Sequence, residues 1–142
     1  MKILILNGPN LNLIGKREPE IYGNQSIDEY LESVKQRFPE CSIDTFQSNH
    51  EGILIDKLQE AMEKYDGVVM NPGGYAHTSI ALADAIRAIG IPVVEVHISN
   101  IYEREEYRHH SFTAEAATHS IVGHGLEGYA EAIEFLKKNQ FR

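Results

Sequence analysis

The feature that most constrains this chain is a regular alternation of short apolar runs with longer amphipathic segments. The first run, Ile3 to Leu6, is continuously apolar, which is typical of a central parallel strand buried on both faces. Further strands are predicted at 43–47, 68–70, 92–96 and 120–122. Apolar residues at helical spacing predict helices at 26–38, 50–65, 79–89 and 126–138. Strands that alternate with helices predict an α/β fold with a parallel sheet.

Local signals support the ends of these elements. Ser26 followed by Glu29 forms a capping box, and Gly90 suits the left-handed conformation that often follows a helix. The apolar face of the second helix is expected to hold Leu54, Leu58, Ala61, Met62 and Tyr65. The segment 99–117 is expected to be irregular. Because the chain shows no repeat and no linker, we expect residues 1–142 to form one domain, a flavodoxin-like three-layer sandwich around a five-stranded parallel sheet.

Composition narrows the class of function. The formal net charge of −8 argues against a nucleic-acid partner, because affinity for phosphate backbones comes mainly from Lys and Arg. The single cysteine, Cys41, cannot form a disulfide within the chain or a multi-thiolate zinc site, and a buried, inert thiol is expected there. No apolar run approaches the length of about 18 residues that spans a bilayer, and the N-terminus does not resemble a signal peptide. We therefore expect a cytoplasmic protein without a membrane partner.

Polar loops follow three of the predicted strands, at 7–25, 71–79 and 95–100. Ligands of open α/β sheets bind beyond the carboxyl ends of the strands, so these loops are expected to converge on one site. The first loop is much longer than the usual connection of about 2–6 residues, which favours a lid or binding loop. The sequence therefore predicts a small-molecule site at this edge of the sheet.

The first loop carries an amide, a cation and a phenol in Asn12, Arg17 and Tyr22. A tyrosine has a pKa of about 10, but a nearby guanidinium favours the phenolate and would make it a usable base. The alternative is that Tyr22 covers an apolar patch while Arg17 pairs with Glu18 or Glu20 in solvent. The residues alone leave both interpretations open.

The other two loops offer binding and acid groups. Asn71 to Ser79 contains paired glycines before a helix, which suits a carboxylate, although His77 could instead belong to a helix cap. In the third loop, Glu95 and His97 share one side of a strand, so the carboxylate could raise the pKa of the imidazole and prepare it as a general acid. The alternative for His97 is an ordinary histidine at a strand end.

Two further groups of residues have weaker signals. Arg104 and Arg108 are four residues apart, so a helical turn would place both on one face, although the surrounding glutamates also fit a solvated surface. The histidines of the C-terminal part, at 109, 110, 119 and 124, match no metal-ligand motif. No metal is expected.

Three segments together resemble the type II 3-dehydroquinate dehydratase family. They are GPNLNLIGKREPEIYG at 8–23, NPGGYAHTS at 71–79 and VEVHISNIYEREEYRHHS at 94–111. The resemblance runs in register over essentially the whole chain. Ile14 and Ala76 stand where Leu and Thr are more usual in the family, and neither position carries chemistry. The resemblance implies a flavodoxin-like lyase of the shikimate or quinate pathway that needs no cofactor.

The reaction implied by the resemblance is an anti elimination of water from 3-dehydroquinate through an enolate. In the family's pattern, Tyr22 matches the base and Arg17 the cation that keeps it ionised and stabilises developing charge. Asn12 matches the residue that holds a water on the enolate oxygen. His97 matches the acid that protonates the leaving hydroxyl, oriented by Glu95.

The same resemblance implies a set of substrate-binding groups and a larger assembly. The binding groups are Asn71, His77, Ile98, Ser99 and Arg108, with Arg104 near the site. Asp84 resembles a residue that the family delivers into the site of a neighbouring subunit. Family members assemble as homododecamers, as tetramers of trimers, which we carry over as an expectation.

The main alternative is a non-catalytic flavodoxin-like binding or signalling module, because a fold does not fix a function. A receiver domain would need Asp where this chain has Asn71, and Lys where it has Gly123. A flavin-binding protein would need Ser or Thr in the first loop, and 8–15 contains neither. A catalytically inactive relative is disfavoured because every residue that the family's chemistry requires is present.

Overall fold

The computed structural model describes residues 1–15 and 25–139. The strands are Lys2–Asn7 (β1), Ser42–Gln47 (β2), Gly67–Asn71 (β3), Val93–His97 (β4) and His119–Val122 (β5). They form one parallel sheet in the order β2-β1-β3-β4-β5. The helices are Ile27–Arg37 (α1), Glu51–Lys64 (α2), Ile80–Ile89 (α3), Phe112–Ala116 (α4) and Glu127–Lys138 (α5). The α/β class and the flavodoxin-like parallel sheet are confirmed.

Each face of the sheet is covered by helices, because successive side chains of a strand point to opposite sides. Ile3 and Ile5 of β1 join a core cluster with the buried faces of α1 and α5. Leu4 and Leu6 join the opposite cluster, which contains the buried faces of α2 and α3. The continuous apolar run at the N-terminus therefore contributes side chains to both core clusters, and the sheet is the middle layer of three.

The predicted helix ends are confirmed where capping signals were present. The Ser26 hydroxyl accepts a hydrogen bond of 3.2 Å from the Glu29 amide at the start of α1. Ser79 caps α3 in the same way, by accepting from the Leu82 amide at 2.9 Å. Gly90 ends α3 with a φ of 76°, a conformation that costs a glycine little.

Two expectations about the helices were wrong. The segment 99–117 contains α4 and two 3-10 turns, Ile101–Glu103 and Glu106–Arg108. Ser111 caps α4 by accepting from the Ala114 amide at 3.0 Å, and this Ser was the available sequence signal. In α2, Met62 is 47% exposed instead of buried, because the core side of that helix is taken by Leu54, Leu58 and Ala61.

The order of the strands reverses between β1 and β3, which is where ligands of such sheets bind. The last residues of these strands, Asn7 and Asn71, lie side by side in register. The Gly8 amide then donates to the Asn71 carbonyl at 2.8 Å. A Cβ on Gly8 would lie 2.5 Å from the Pro72 carbonyl oxygen, so only glycine allows the two loops to approach this closely.

Candidate active site

A polar cavity of about 170 Å³ opens beyond the carboxyl ends of β1, β3 and β4. It is lined by all three predicted loops and by the following segment, through Pro9, Asn10, Leu11, Asn71, Gly73, Gly74, His77, His97, Ile98, Ser99, Ile101, Arg104 and Arg108. The expectation that separate polar loops converge on one site is confirmed.

The pair at the end of β4 has the predicted arrangement. Glu95 and His97 are two residues apart on one strand, so their side chains project to the same face. His97 Nε2 lies 3.0 Å from Glu95 Oε1, an ion-pair distance without the alignment of a full hydrogen bond. Glu95 is only 1% exposed, and His97 is also buried but lines the cavity. A carboxylate at Nε2 leaves Nδ1 as the ring nitrogen available to a ligand.

Three hydroxyl groups surround the buried Glu95 carboxylate. The Ser111 hydroxyl donates to Oε2 at 2.7 Å, and the Thr113 hydroxyl donates to the same oxygen. The Ser120 hydroxyl donates to Oε1 at 3.1 Å. Burial alone raises the pKa of the Glu95 carboxyl, but His97 and the hydroxyls of Ser111 and Thr113 outweigh it and hold that pKa below its usual value. Glu95 is therefore a buried carboxylate that stays ionised.

Replacing Thr113 by Val is expected to reduce the free energy of unfolding by about 1.5–3 kcal/mol near neutral pH, because a buried hydrogen bond to a charged group is lost. The lowered pKa means that ionised Glu95 stabilises the fold above the ordinary carboxyl value of 4.5, and that this stabilisation is lost as pH falls through the folded-state value. In the variant the folded-state pKa should lie closer to 4.5, so the loss still begins near 4.5 but ends at a higher pH and is smaller. Urea unfolding across the acid range measures both effects.

The matched control for that variant is Thr45→Val, which alters an exposed threonine on β2. It should leave stability within about 0.5 kcal/mol and its pH dependence unchanged. Equal effects of the two substitutions would show that the Thr113 hydroxyl does not support the carboxylate.

His77 lies beside His97, with the ring centroids 6.0 Å apart and the planes inclined by 25°. Its Nδ1 is 2.8 Å from the His110 carbonyl oxygen, which can only accept, so Nδ1 carries a proton. Burial lowers the pKa of His77. The neutral ring therefore has Nε2 as its acceptor, and the contact with His110 ties the loop after β3 to the segment before α4.

The cavity is a basic region in an acidic chain. Arg104 and Arg108 both line it. Arg104 directly follows one 3-10 turn and Arg108 ends the next, so they do not share the single helical turn considered from their spacing. The Nε of Arg108 donates to Glu105 Oε2 at 2.6 Å, so this guanidinium is held at the rim by a neighbouring carboxylate. The net charge of −8 therefore describes the whole surface and not the cavity.

Other predicted site residues do not line this cavity in the described chain. Asn12 is exposed on the 3-10 turn Leu11–Leu13 and borders a separate groove of about 260 Å³. Asp84 is exposed on α3 and pairs with Arg87, with Arg87 Nη1 3.6 Å from Asp84 Oδ1. Arg17 and Tyr22 lie outside the described residues.

The sequence interpretation missed the residues that form hydrogen bonds to Glu95 and to the ends of β1 and β3. Ser111, Thr113 and Ser120 lie far from Glu95 in sequence, and no local pattern connects hydroxyl groups to a strand residue. Tyr129 was assigned only to the apolar face of the last helix, whereas its hydroxyl contacts the ends of β1 and β3. Within residues 1–15 and 25–139, no helix has the length and apolarity to cross a membrane, and no group of three or more His, Cys, Asp or Glu could hold a metal.

The chain matches the family model described as dehydroquinase class II over residues 1–137. A 3-dehydroquinate dehydratase from Clostridium botulinum strain Hall is 55% identical over 142 residues, which cover 99% of this chain and 97% of that protein. A protein of the same name from Bacillus pumilus is 56% identical over 136 residues, which cover 94% of this chain and 92% of the relative.

A solved structure agrees with these matches. The type II dehydroquinase from Butyrivibrio crossotus superposes with a TM-score of 0.94 at 47% sequence identity, covering 96% of this chain and 97% of the other. The similarity in sequence and in three-dimensional structure therefore extends over nearly the whole of both chains.

Proposed function

The chain belongs to the dehydroquinase class II family, and from that premise we propose the part that each residue of its cavity plays in the family's reaction. The reaction is the dehydration of 3-dehydroquinate to 3-dehydroshikimate, a step of the shikimate pathway. The substrate is a cyclic β-hydroxy ketone with a carboxylate. Elimination of water from a β-hydroxy ketone requires a base, an acid and a group that stabilises the enolate oxygen.

The observation that carries the proposed division of roles is the buried Glu95–His97 pair at the wall of a basic cavity. Hydroxide is a poor leaving group unless a proton reaches it as the carbon–oxygen bond breaks. His97 supplies that proton from Nδ1, because Nε2 faces the Glu95 carboxylate. Glu95 keeps the ring in one orientation, with its carboxylate oxygen 3.0 Å from Nε2.

Tyr22 is the proposed base on the opposite side of the substrate. Its phenolate removes the proton α to the ketone, and the electron pair moves onto the ketone oxygen as an enolate. Arg17 favours the phenolate by its charge and stabilises the enolate. Asn12 holds a water on the enolate oxygen, for which its loop would need to bring it nearer the cavity than the exposed position on Leu11–Leu13. The enolate then expels the hydroxyl, protonated by His97, to give the enone and water.

The remaining polar groups of the cavity bind the substrate. Asn71, His77 and Ser99, with the backbone of Ile98, offer neutral hydrogen-bonding groups to the hydroxyls and the carboxylate of the ring. Arg108 and Arg104 supply positive charge at the rim, where an anionic substrate enters. On binding, the substrate would compete with Glu105 for the Arg108 guanidinium.

We further propose that residues 1–142 act as one catalytic unit within a cytoplasmic homododecamer built as a tetramer of trimers. Asp84 fits this assembly, because it is exposed on α3 and lies outside the cavity of its own chain, where a neighbouring subunit could reach it. Ile80, on the same helix, is 59% exposed, as an uncovered interface residue would be. Sedimentation equilibrium measures the assembly, and a monomer would contradict it.

The proposed function is tested by adding 3-dehydroquinate to the purified protein and following the ultraviolet absorbance of the enone product. We expect the absorbance to rise and activity to survive borohydride added with the substrate. None of the described residues that line the cavity is a lysine, so no imine is expected for borohydride to trap. Well-folded protein that gives no absorbance rise would contradict the function, and inactivation through a trapped imine would contradict the mechanism.

A further inference from the structure

A fully buried tyrosine lies beneath the floor of the cavity. Tyr129, near the start of α5, has 0% exposure, and its hydroxyl reaches the two strand ends where the sheet order reverses. The hydroxyl donates to Asn7 Oδ1 at 2.7 Å. It also accepts from Asn71 Nδ2 at 3.2 Å. Asn71 lines the cavity, whereas Asn7 and Tyr129 do not.

The direction of each hydrogen bond in this network is determined by its neighbours. The Gly73 amide can only donate, and it lies 3.1 Å from Asn71 Oδ1. Nδ2 of Asn71 is therefore the amide atom that faces Tyr129. The single proton of the Tyr129 hydroxyl goes to Asn7, so its oxygen accepts one Asn71 N–H. An amide NH₂ carries two protons, and the second remains for a ligand in the cavity.

Packing alone does not explain why residue 129 carries a hydroxyl group. A phenylalanine would fill the same space without placing an oxygen in the core, and burying a hydroxyl is unfavourable unless it is hydrogen-bonded. Burial raises the pKa of Tyr129, so the phenol keeps the proton that it gives to Asn7. The network thus consists of neutral groups, and each of its hydrogen bonds has a defined donor and acceptor.

We propose that Tyr129 is a positioning residue that holds the Asn71 side chain with an N–H donor directed at an acceptor oxygen of the substrate. The inference rests on the proposed function, since the substrate oxygens are those of 3-dehydroquinate. Without the Tyr129 hydroxyl, the Asn71 amide keeps its contact with the Gly73 amide but loses the acceptor that holds its buried N–H. The side chain can then turn, so that its second N–H no longer points at the substrate oxygen.

The test is a double-mutant cycle on purified protein with 3-dehydroquinate. Tyr129→Phe is expected to raise KM about tenfold and to change kcat by less than about twofold, because a substrate contact is lost equally in the ground and transition states. Asn71→Ala should raise KM by at least as much. The double variant should be no worse than Asn71→Ala, because the tyrosine acts only through the amide.

The control is Tyr30→Phe, which removes the hydroxyl that donates to Glu127 Oε1 at 3.0 Å, away from the cavity. It should leave both kinetic constants unchanged. If Tyr129→Phe does not fold, Asn7→Ala removes the acceptor of the same hydroxyl and should raise KM about threefold. An unchanged KM in Tyr129→Phe, or effects of Tyr129→Phe and Asn71→Ala that add in the double variant, would overturn the inference. Wild-type protein without turnover would instead contradict the proposed function.

Discussion

His97→Ala is expected to lower kcat by about 10²–10⁴-fold while leaving the fold intact, because it removes the proposed general acid. The imidazole lies at the carboxyl end of β4, where it lines the cavity and where its Nε2 is 3.0 Å from the Glu95 carboxylate. Steady-state kinetics with 3-dehydroquinate measures the loss. A substrate analogue with fluoride in place of the departing hydroxyl should recover much of it, because fluoride leaves without a proton.

The control for this variant is His124→Ala. His124 is exposed, and its Nδ1 pairs with Glu131 at 2.9 Å, outside the cavity. Its removal should leave kcat within about twofold of the original. If His97→Ala retained normal turnover, or if the fluoride analogue were as impaired as the substrate, His97 would not be the acid.

Tyr22→Phe should lower kcat by a similar factor. The substitution keeps the aromatic ring and removes only the hydroxyl of the proposed base. The two variants are distinguished by hydrogen exchange. In deuterated water, His97→Ala should still exchange the α proton of the substrate, because the enolate forms before hydroxide leaves. Tyr22→Phe should not exchange it, because the enolate never forms. Nuclear magnetic resonance of the substrate follows both outcomes.

Tyr65→Phe is the matched control, since the Tyr65 hydroxyl donates to Asp44 Oδ2 at 2.6 Å and neither residue lines the cavity. It should retain both turnover and exchange. Exchange that persisted in Tyr22→Phe would assign the base to another residue. Loss of exchange in His97→Ala would mean that the proton and the hydroxyl leave in one step.

The candidate site was predictable in the parts that occupy short stretches of sequence. Glu95 and His97 could be paired because a strand repeats every two residues, and the structure places them 3.0 Å apart. The loop at 71–79 could be placed beside them because parallel strands end at one edge of a sheet. The joint position of Arg104 and Arg108 could not be predicted in this way, because it depends on two 3-10 turns that no periodic pattern marks.

The network around Tyr129 could not have been predicted in this way. Its hydroxyl bonds to Asn7, which is 122 positions away in the chain, and an apolar residue at that helical position would satisfy the same pattern. The hydroxyl groups around Glu95 come from α4 and β5, and α4 itself was not predicted. Such contacts join residues that are far apart in sequence, at separations that neither helix nor strand periodicity predicts.

By itself, the sequence determined the parallel α/β sheet, the helix caps and the edge at which the polar loops meet, because each depends on backbone periodicity and on side chains a few residues apart. Only the tertiary structure decided which buried groups support the site. The charge of Glu95 depends on hydroxyls from two other elements, and the orientation of Asn71 depends on a tyrosine from the last helix. Both result from packing in three dimensions, where a polar atom removed from water must find a partner wherever the fold brings one.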